Sequence, residues 1–244
     1  MTLIGVAIGV TAALYSLFLH RLGDRDLWNS HEARAAMNAR SMINDGNWIL
    51  PRLADGRMEI QKPPLYYWMV AGLARISGGE VNAWHVRLPS ALSALGCLLI
   101  LIWLGFRLGN PRLGISAALI LACALHFTWL ARVGRIDMPL TFFITLALAC
   151  FFVASRWSLV VGYFALAAAV LLKGPIGLVL PAVVLIAHFV CEGSLTWNWR
   201  SWLTLSRRLG LWWGLPLILL LTVPWFVLAH LKSDGEFTRS FFWL

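Results

Sequence analysis

The stretch "LPSALSALGCLLILIWLGFR", residues 88–107, decides the class of fold. It carries no charge before its last residue, Arg107. A run of about 20 apolar residues is what an α-helix needs to cross the hydrocarbon of a bilayer. Working outward, six further runs read the same way: 2–20, 113–131, 138–155, 157–172, 176–191 and 209–230. The runs at 157–172 and 176–191 are short and flank "KGPIG" (173–177). Gly and Pro interrupt a helix there, so the two are expected to meet at a bend within the membrane. Pro216 and Pro224 should kink the last run without ending it.

Composition agrees. The 244 residues are 60% hydrophobic and 13% charged, against about 25% charged in a soluble domain. The mean hydropathy is +0.76. The expected fold is therefore all-α, a polytopic membrane helical bundle of about seven spans. A net charge of +9 suits anionic headgroups or a phosphate-bearing substrate. No basic soluble domain is present to engage nucleic acid. Cys97, Cys123, Cys150 and Cys191 lie in apolar runs without a CxxC pair, and read as small hydrophobes rather than as disulfides or metal ligands. The run from Thr2 to Leu19 has no basic leader and no small-residue cleavage pattern, so it reads as a retained span.

One large polar excursion, 21–87, separates the first two spans. Within it, residues 31–44 are rich in helix formers. Asn29 with Glu32 three residues on resembles a capping box, and Asn44-Asp45-Gly46 is a stop. At 100° per residue His31, Arg34, Asn38, Ser41 and Asp45 form a polar stripe, while Glu32 shares its face with Ala35, Ala36, Ala39 and Ile43. A carboxylate on a packing face either caps its own helix or faces an enclosed cavity, where burial would raise its pKa towards general-base use. His31 is either a surface imidazole or a base. "LADGR" (53–57) reads as a tight turn. "PPLYYWMVAGLARISG" (63–78) is too short to cross and suits an interfacial or re-entrant helix, with Tyr66, Tyr67 and Trp68 at headgroup depth. Lys62, just before the two prolines, either snorkels or meets a lipid phosphate. In "RVGRIDMPLTFF" (132–143), Arg132, Arg135 and Asp137 sit at the junction of two spans. Charge in such a place often marks a functional path, although Asp137 also suits a helix N-cap. Lys173 is a second boundary lysine.

With the N-terminus in the cytoplasm, the short inside loops hold Arg107, Arg112, Arg156, Arg200, Arg207 and Arg208 against Glu192 alone. The other side holds the remaining 14 of 20 basic residues with 10 of 11 acids, and that count opposes this orientation; long loops obey the positive-inside rule poorly, so composition alone leaves the topology open. In this topology Glu32, Lys62, Asp137 and Lys173 share one membrane face.

The order of motifs resembles a known family. A first span is followed by an Asp/His-Glu-x-Arg helix, here His31-Glu32-Ala33-Arg34. Then come "DGNWILPRL" (45–53), "KPPLYYW" (62–68), "RLPSAL" (87–92), Arg-x-Asp-Met-Pro (135–139) and "LLKGPIGLVLP" (171–181). This pattern is similar to the bacterial C-type membrane glycosyltransferases, the aminoarabinose-lipid A transferase and dolichyl-phosphate-mannose protein mannosyltransferase group. The resemblance runs from about residue 2 to the end. It implies a transmembrane glycosyltransferase domain over 1–244, with 21–87 as a long first extracytoplasmic loop carrying interfacial helices. It implies multi-pass placement in the plasma (inner) membrane with the active site on the extracytoplasmic face. The implied reaction moves a sugar from a polyprenyl-phosphate donor to a hydroxyl on a lipid, protein or glycan acceptor, with membrane lipids as surroundings. Glu32, Asp137 and His31 are the implied catalytic groups. Arg34, Lys62, Tyr66, Arg135 and Lys173 are the implied substrate-binding groups.

Two departures stand out. Where the family has Asp-Glu this chain has His31-Glu32, so the matching aspartate is absent, and Glu32, His31 or Asp137 must serve as base. The alternative is a relative that binds lipid phosphate or partners without transfer. Where the aminoarabinose branch has an acid before the lysine, this chain has Gln61, so no metal and no other cofactor is expected. Relatives also continue past the equivalent of "GEFTRSFFWL" (235–244), which suggests a fragment of a longer architecture.

Overall fold

The computed structural model describes residues 3–53 and 55–243. Twelve α-helices follow in order: α1 (Leu3–Phe18), α2 (Ser30–Asp45), α3 (Leu65–Ile76), α4 (Ala83–Arg107), α5 (Pro111–Cys123), α6 (Leu125–Ala131), α7 (Asp137–Val153), α8 (Arg156–Lys173), α9 (Ile176–Cys191), α10 (Trp199–Leu209), α11 (Leu211–Lys232) and α12 (Glu236–Trp243). The described residues contain no β-strand beyond one bridge, Arg52 to Met58. The all-helical expectation holds.

Not every apolar run forms a helix of spanning length among the described residues. Among the described residues α4, α8 and α11 are long and apolar enough to cross a bilayer, and α5 with α6 makes a fourth only if taken as one bent span. α7 and α9 are apolar but shorter. The 113–131 run is broken at Ala124, where α5 and α6 meet at 75°. Ala124 is extended (φ −70°, ψ 117°), and the Thr128 hydroxyl donates to the Ala122 carbonyl at 2.9 Å. That bond satisfies a carbonyl the break has orphaned. α4 starts at Ala83, five residues before the expected 88, because Asn82 and His85 form a capping box.

The chain divides into two compact units, Met1–Glu59 with Tyr66–Phe142, and Ile60–Leu65 with Phe143–Leu244. The first is built on α4. Gly105 of α4 and Gly114 of α5 meet backbone to backbone, and a Cβ on Gly105 would lie 2.6 Å from the Gly114 Cα. Small residues at a helix crossing are how membrane helices gain close packing. Phe18, Leu98, Phe127 and Met138 fill the core beside them. In the second unit α8 packs on α9 and α11 around Phe151, Tyr163, Leu166, Phe189 and Ile218. Gly174 ends α8 at φ +70° and Pro175 precedes α9. The left-handed glycine turns the chain where an L side chain would be strained.

Large apolar side chains point outward on both units: Leu99, Leu119 and Ile120 in the first, and Val183, Leu219 and Leu220 in the second. A soluble monomer does not present such a continuous apolar exterior. The protein is a membrane protein.

Candidate active site

α2 carries three of the eight candidate groups, His31, Glu32 and Arg34, and its local sequence explains why it forms. Asn29 is extended and its side-chain oxygen accepts the His31 N–H at 2.7 Å. Gly46 ends the helix in the left-handed region at φ 67°. The observed helix, Ser30–Asp45, extends the expected 31–44 by one residue at each end.

Glu32 does not cap its own helix; Arg87 and the Gly134 N–H engage its carboxylate. Its side chain is fully buried. Oε1 accepts from Arg87 Nε at 2.7 Å and from the Gly134 N–H at 2.8 Å, and Oε2 accepts from Arg87 Nη2 at 3.0 Å. Arg87 spends its other three N–H donors on the carbonyls of Leu22, Arg25 and Asp26, at 2.8–3.0 Å. An arginine has five donors, and all five are used. The pair is a bidentate, charge-assisted bond with its partners complete. It ties α2 to α4, to the chain leaving α1, and to the turn before α7.

That turn is the second piece of the site. Gly134 lies against Val86 so closely that a Cβ there would clash with the Val86 side chain and carbonyl. The Ser90 hydroxyl donates to the Arg135 carbonyl at 3.2 Å, and the Arg132 guanidinium donates to the Leu17 and His20 carbonyls at 3.0 and 2.9 Å. Held by these contacts, Arg135 and Asp137 form a half-exposed ion pair at 3.2 Å. Asp137 is the first residue of α7.

The polar stripe of α2 supports a hairpin. The Glu59 N–H donates to the Pro51 carbonyl at 2.8 Å, and Leu53 and Arg57 close the "LADGR" turn, with Gly56 at φ +82°. The Ser41 hydroxyl accepts the Arg52 N–H at 2.9 Å. Glu59 is thereby buried beside α2, where Asn38 Nδ2 donates to its Oε2 at 3.2 Å and Arg34 Nη1 stands 3.7 Å from the same oxygen. Arg34 keeps 35% of its side chain exposed, whereas Glu59 keeps 1%. The Asn38 Oδ1 is buried without a hydrogen-bond partner. Burial, followed by the Glu59 charge, pushes the Tyr67 phenol above its ordinary range.

Tyr66 also departs from its expected place. It is 1% exposed, and its hydroxyl donates to the Val86 carbonyl at 2.7 Å. Burial raises its pKa, so it is a neutral core phenol. His31 is exposed at the start of α2. The first unit thus carries His31 and Arg34 on α2 and Arg135 and Asp137 around the start of α7, with α2 tied to the turn before α7 through Glu32 and Gly134. Lys62 and Lys173 belong to the second unit; Lys62 is half-buried before Pro63 and Pro64, and Lys173 is exposed at the end of α8. Sequence reasoning placed Asn38 on the polar stripe without assigning it a partner, and missed Glu59 and Arg87. The available signal for Arg87 was a charge next to Leu-Pro at the mouth of an apolar run. For Glu59 it was an acid at the foot of a tight turn.

A family model described as dolichyl-phosphate-mannose-protein mannosyltransferase matches residues 2–233. The chain belongs to that family. An undecaprenyl phosphate-alpha-4-amino-4-deoxy-L-arabinose arabinosyl transferase from Shewanella sediminis (strain HAW-EB3) is 31% identical, covering 99% of this chain and 43% of the relative. An uncharacterized protein from Aquifex aeolicus (strain VF5) is 29% identical over 92% of this chain and 44% of its own length. The crystal structure of ArnT from Cupriavidus metallidurans bound to undecaprenyl phosphate superposes with a TM-score of 0.88 at 27% identity, over 99% of this chain and 44% of that one. The apo form of the same protein gives 0.82 at 28% identity, over 98% of this chain and 44% of that one. The chain spans less than half the length of these proteins.

Proposed function

We propose that the protein transfers a sugar from a polyprenyl-phosphate donor to an acceptor hydroxyl on the non-cytoplasmic face of the inner membrane. The observation that carries this reading is the likeness, over nearly the whole chain, to a structure solved with undecaprenyl phosphate bound. Undecaprenyl-phosphate-linked aminoarabinose is the first donor to test, because relatives from Shewanella and Erwinia are named for it.

The site residues then divide by role. His31 stands where the family pattern has its aspartate. A neutral imidazole nitrogen takes the acceptor's hydroxyl proton. The acceptor oxygen bonds to the anomeric carbon as the bond from that carbon to the phosphate oxygen breaks, and the lipid monophosphate leaves with the electron pair. Arg34 and Arg135 of the first unit supply cations for that phosphate. Charge that grows during the step is stabilised by fixed cations in a water-poor site. Asp137 orients Arg135 through their ion pair, and Glu59 backs Arg34. Glu32 and Tyr66 act as frame.

The test is incubation of membranes containing the protein with radiolabelled polyprenyl-phosphate sugars. Transfer of label in the wild type and its loss in His31→Ala at unchanged protein level is the expected result. Donor binding without transfer in the wild type would favour a binding-only relative. Neither binding nor transfer would remove the reading altogether.

A further inference from the structure

α10 takes no part in the proposed chemistry, yet its surface is strongly patterned. Its 11 residues make a rod of about 16 Å, well short of a bilayer core. The Asn198 side chain accepts the Arg200 N–H at 3.1 Å at one end, and Gly210 closes the other at φ 68°. The helix is therefore a defined rod between apolar α9 and the span α11.

At 100° per residue α10 has three sectors. Leu205 and Leu209 pack against the core of the second unit. Trp199 and Leu203 occupy the next sector and are 68% and 40% exposed. Arg200 and Arg207 fall side by side beyond it, followed by Thr204 and Arg208, all exposed. Trp197, just ahead of the helix, is fully exposed. α10 contains no acid. The contrast with α2 is direct, since the stripe on α2 faces the protein's own Glu59 and hairpin.

Protein on one side, then an apolar rim, then cations is the sequence of surroundings met by a helix lying flat at a bilayer surface. Tryptophan prefers the interface and arginine the headgroup phosphates. We propose that α10 docks on anionic phospholipid headgroups, with Arg200 and Arg207 on lipid phosphates and Trp197 and Trp199 at the level where acyl chains begin. The contact anchors the α9–α11 connection at the membrane surface, and it is independent of the transfer reaction. An acid-free cationic stripe on a membrane protein is complementary to a negative lipid surface, which identifies the occupant.

Hydrogen exchange of the full chain in nanodiscs tests this. Discs of phosphatidylcholine alone are compared with discs that also contain phosphatidylglycerol. Amides of 200–209 should exchange about tenfold more slowly in the anionic discs, while those of α8 stay unchanged. The difference should vanish in high salt and in the Arg200→Gln/Arg207→Gln protein. It should survive in Arg200→Lys/Arg207→Lys, which keeps the charge. Equal exchange in both discs overturns the proposal. So does equal protection from inorganic phosphate in neutral discs, which would mean a free-anion site. Protection that depends on protein concentration also overturns it, since a second copy would then be the occupant.

Discussion

α2 holds two buried carboxylate–arginine pairs, and they differ in kind. In one, Glu32 and Arg87 are both sealed from solvent and joined at 2.7 and 3.0 Å. In the other, Glu59 is sealed but Arg34 stands 3.7 Å away with a third of its side chain in the open. A bidentate pair with every donor placed is an architectural joint. A looser pair, with the cation at the surface, holds an arginine in place while leaving it accessible to an anion. Two pairs of the same chemical composition thus differ in whether the cation is open to solvent, and the proposed division into frame and site rests on that difference.

The frame pair should give the largest effect when broken. Arg87→Ala leaves Glu32 charged and buried, and should destabilise the first unit by about 3–5 kcal/mol. Loss of protease resistance or a large fall in Tm in detergent would show it. Gly134→Ala pushes a methyl group into Val86 and strains the Glu32 bond, for an expected loss of about 1–3 kcal/mol, read in the same melt. On the site side, Arg34→Gln should lower Tm less than Arg87→Ala, because the pair is longer and half open, but weaken polyprenyl-phosphate binding about tenfold to a hundredfold, the worth of one charge-assisted bond of roughly 1.5–3 kcal/mol. Glu59→Gln should weaken it less, because the cation remains and only its backing is lost; an equal loss in both would erase the distinction drawn here.

The smallest effect concerns pH. Tyr66 and Tyr67 have folded pKa values raised above their unfolded values. A group raised in this way contributes stability that is complete below its unfolded pKa, about 10 for tyrosine, and is lost as pH rises above that. The doubly substituted Tyr66→Phe/Tyr67→Phe protein should therefore show a flatter fall in Tm above about pH 10 than the wild type.

Much of α2 was legible from local pattern. Its cap, its stop and its inward alanines follow from residues within a few positions of one another. The role of Glu32 was not legible, because its partner lies 55 positions away and no helical period reports on such a distance. Periodicity placed Glu32 on the packing face correctly but could not say what it packs against. The break at Ala124 was hidden for another reason. "LACALHFT" contains neither Gly nor Pro, and a threonine hydroxyl takes over the carbonyl that the helix gives up. Tyr66 and Tyr67 illustrate the same limit. Both looked interfacial by composition, yet a carbonyl of α4 claims one and the Glu59 cluster surrounds the other.

The central claim is that Glu32 belongs to the frame and that the base is its neighbour. The direct measurement is the rate of sugar transfer per folded molecule for His31→Ala and Glu32→Gln side by side, each normalised to the fraction that survives a thermal challenge. The account predicts that His31→Ala folds normally and transfers nothing, while folded Glu32→Gln, though less abundant, retains transfer. A folded, inactive Glu32→Gln beside an active His31→Ala would contradict it.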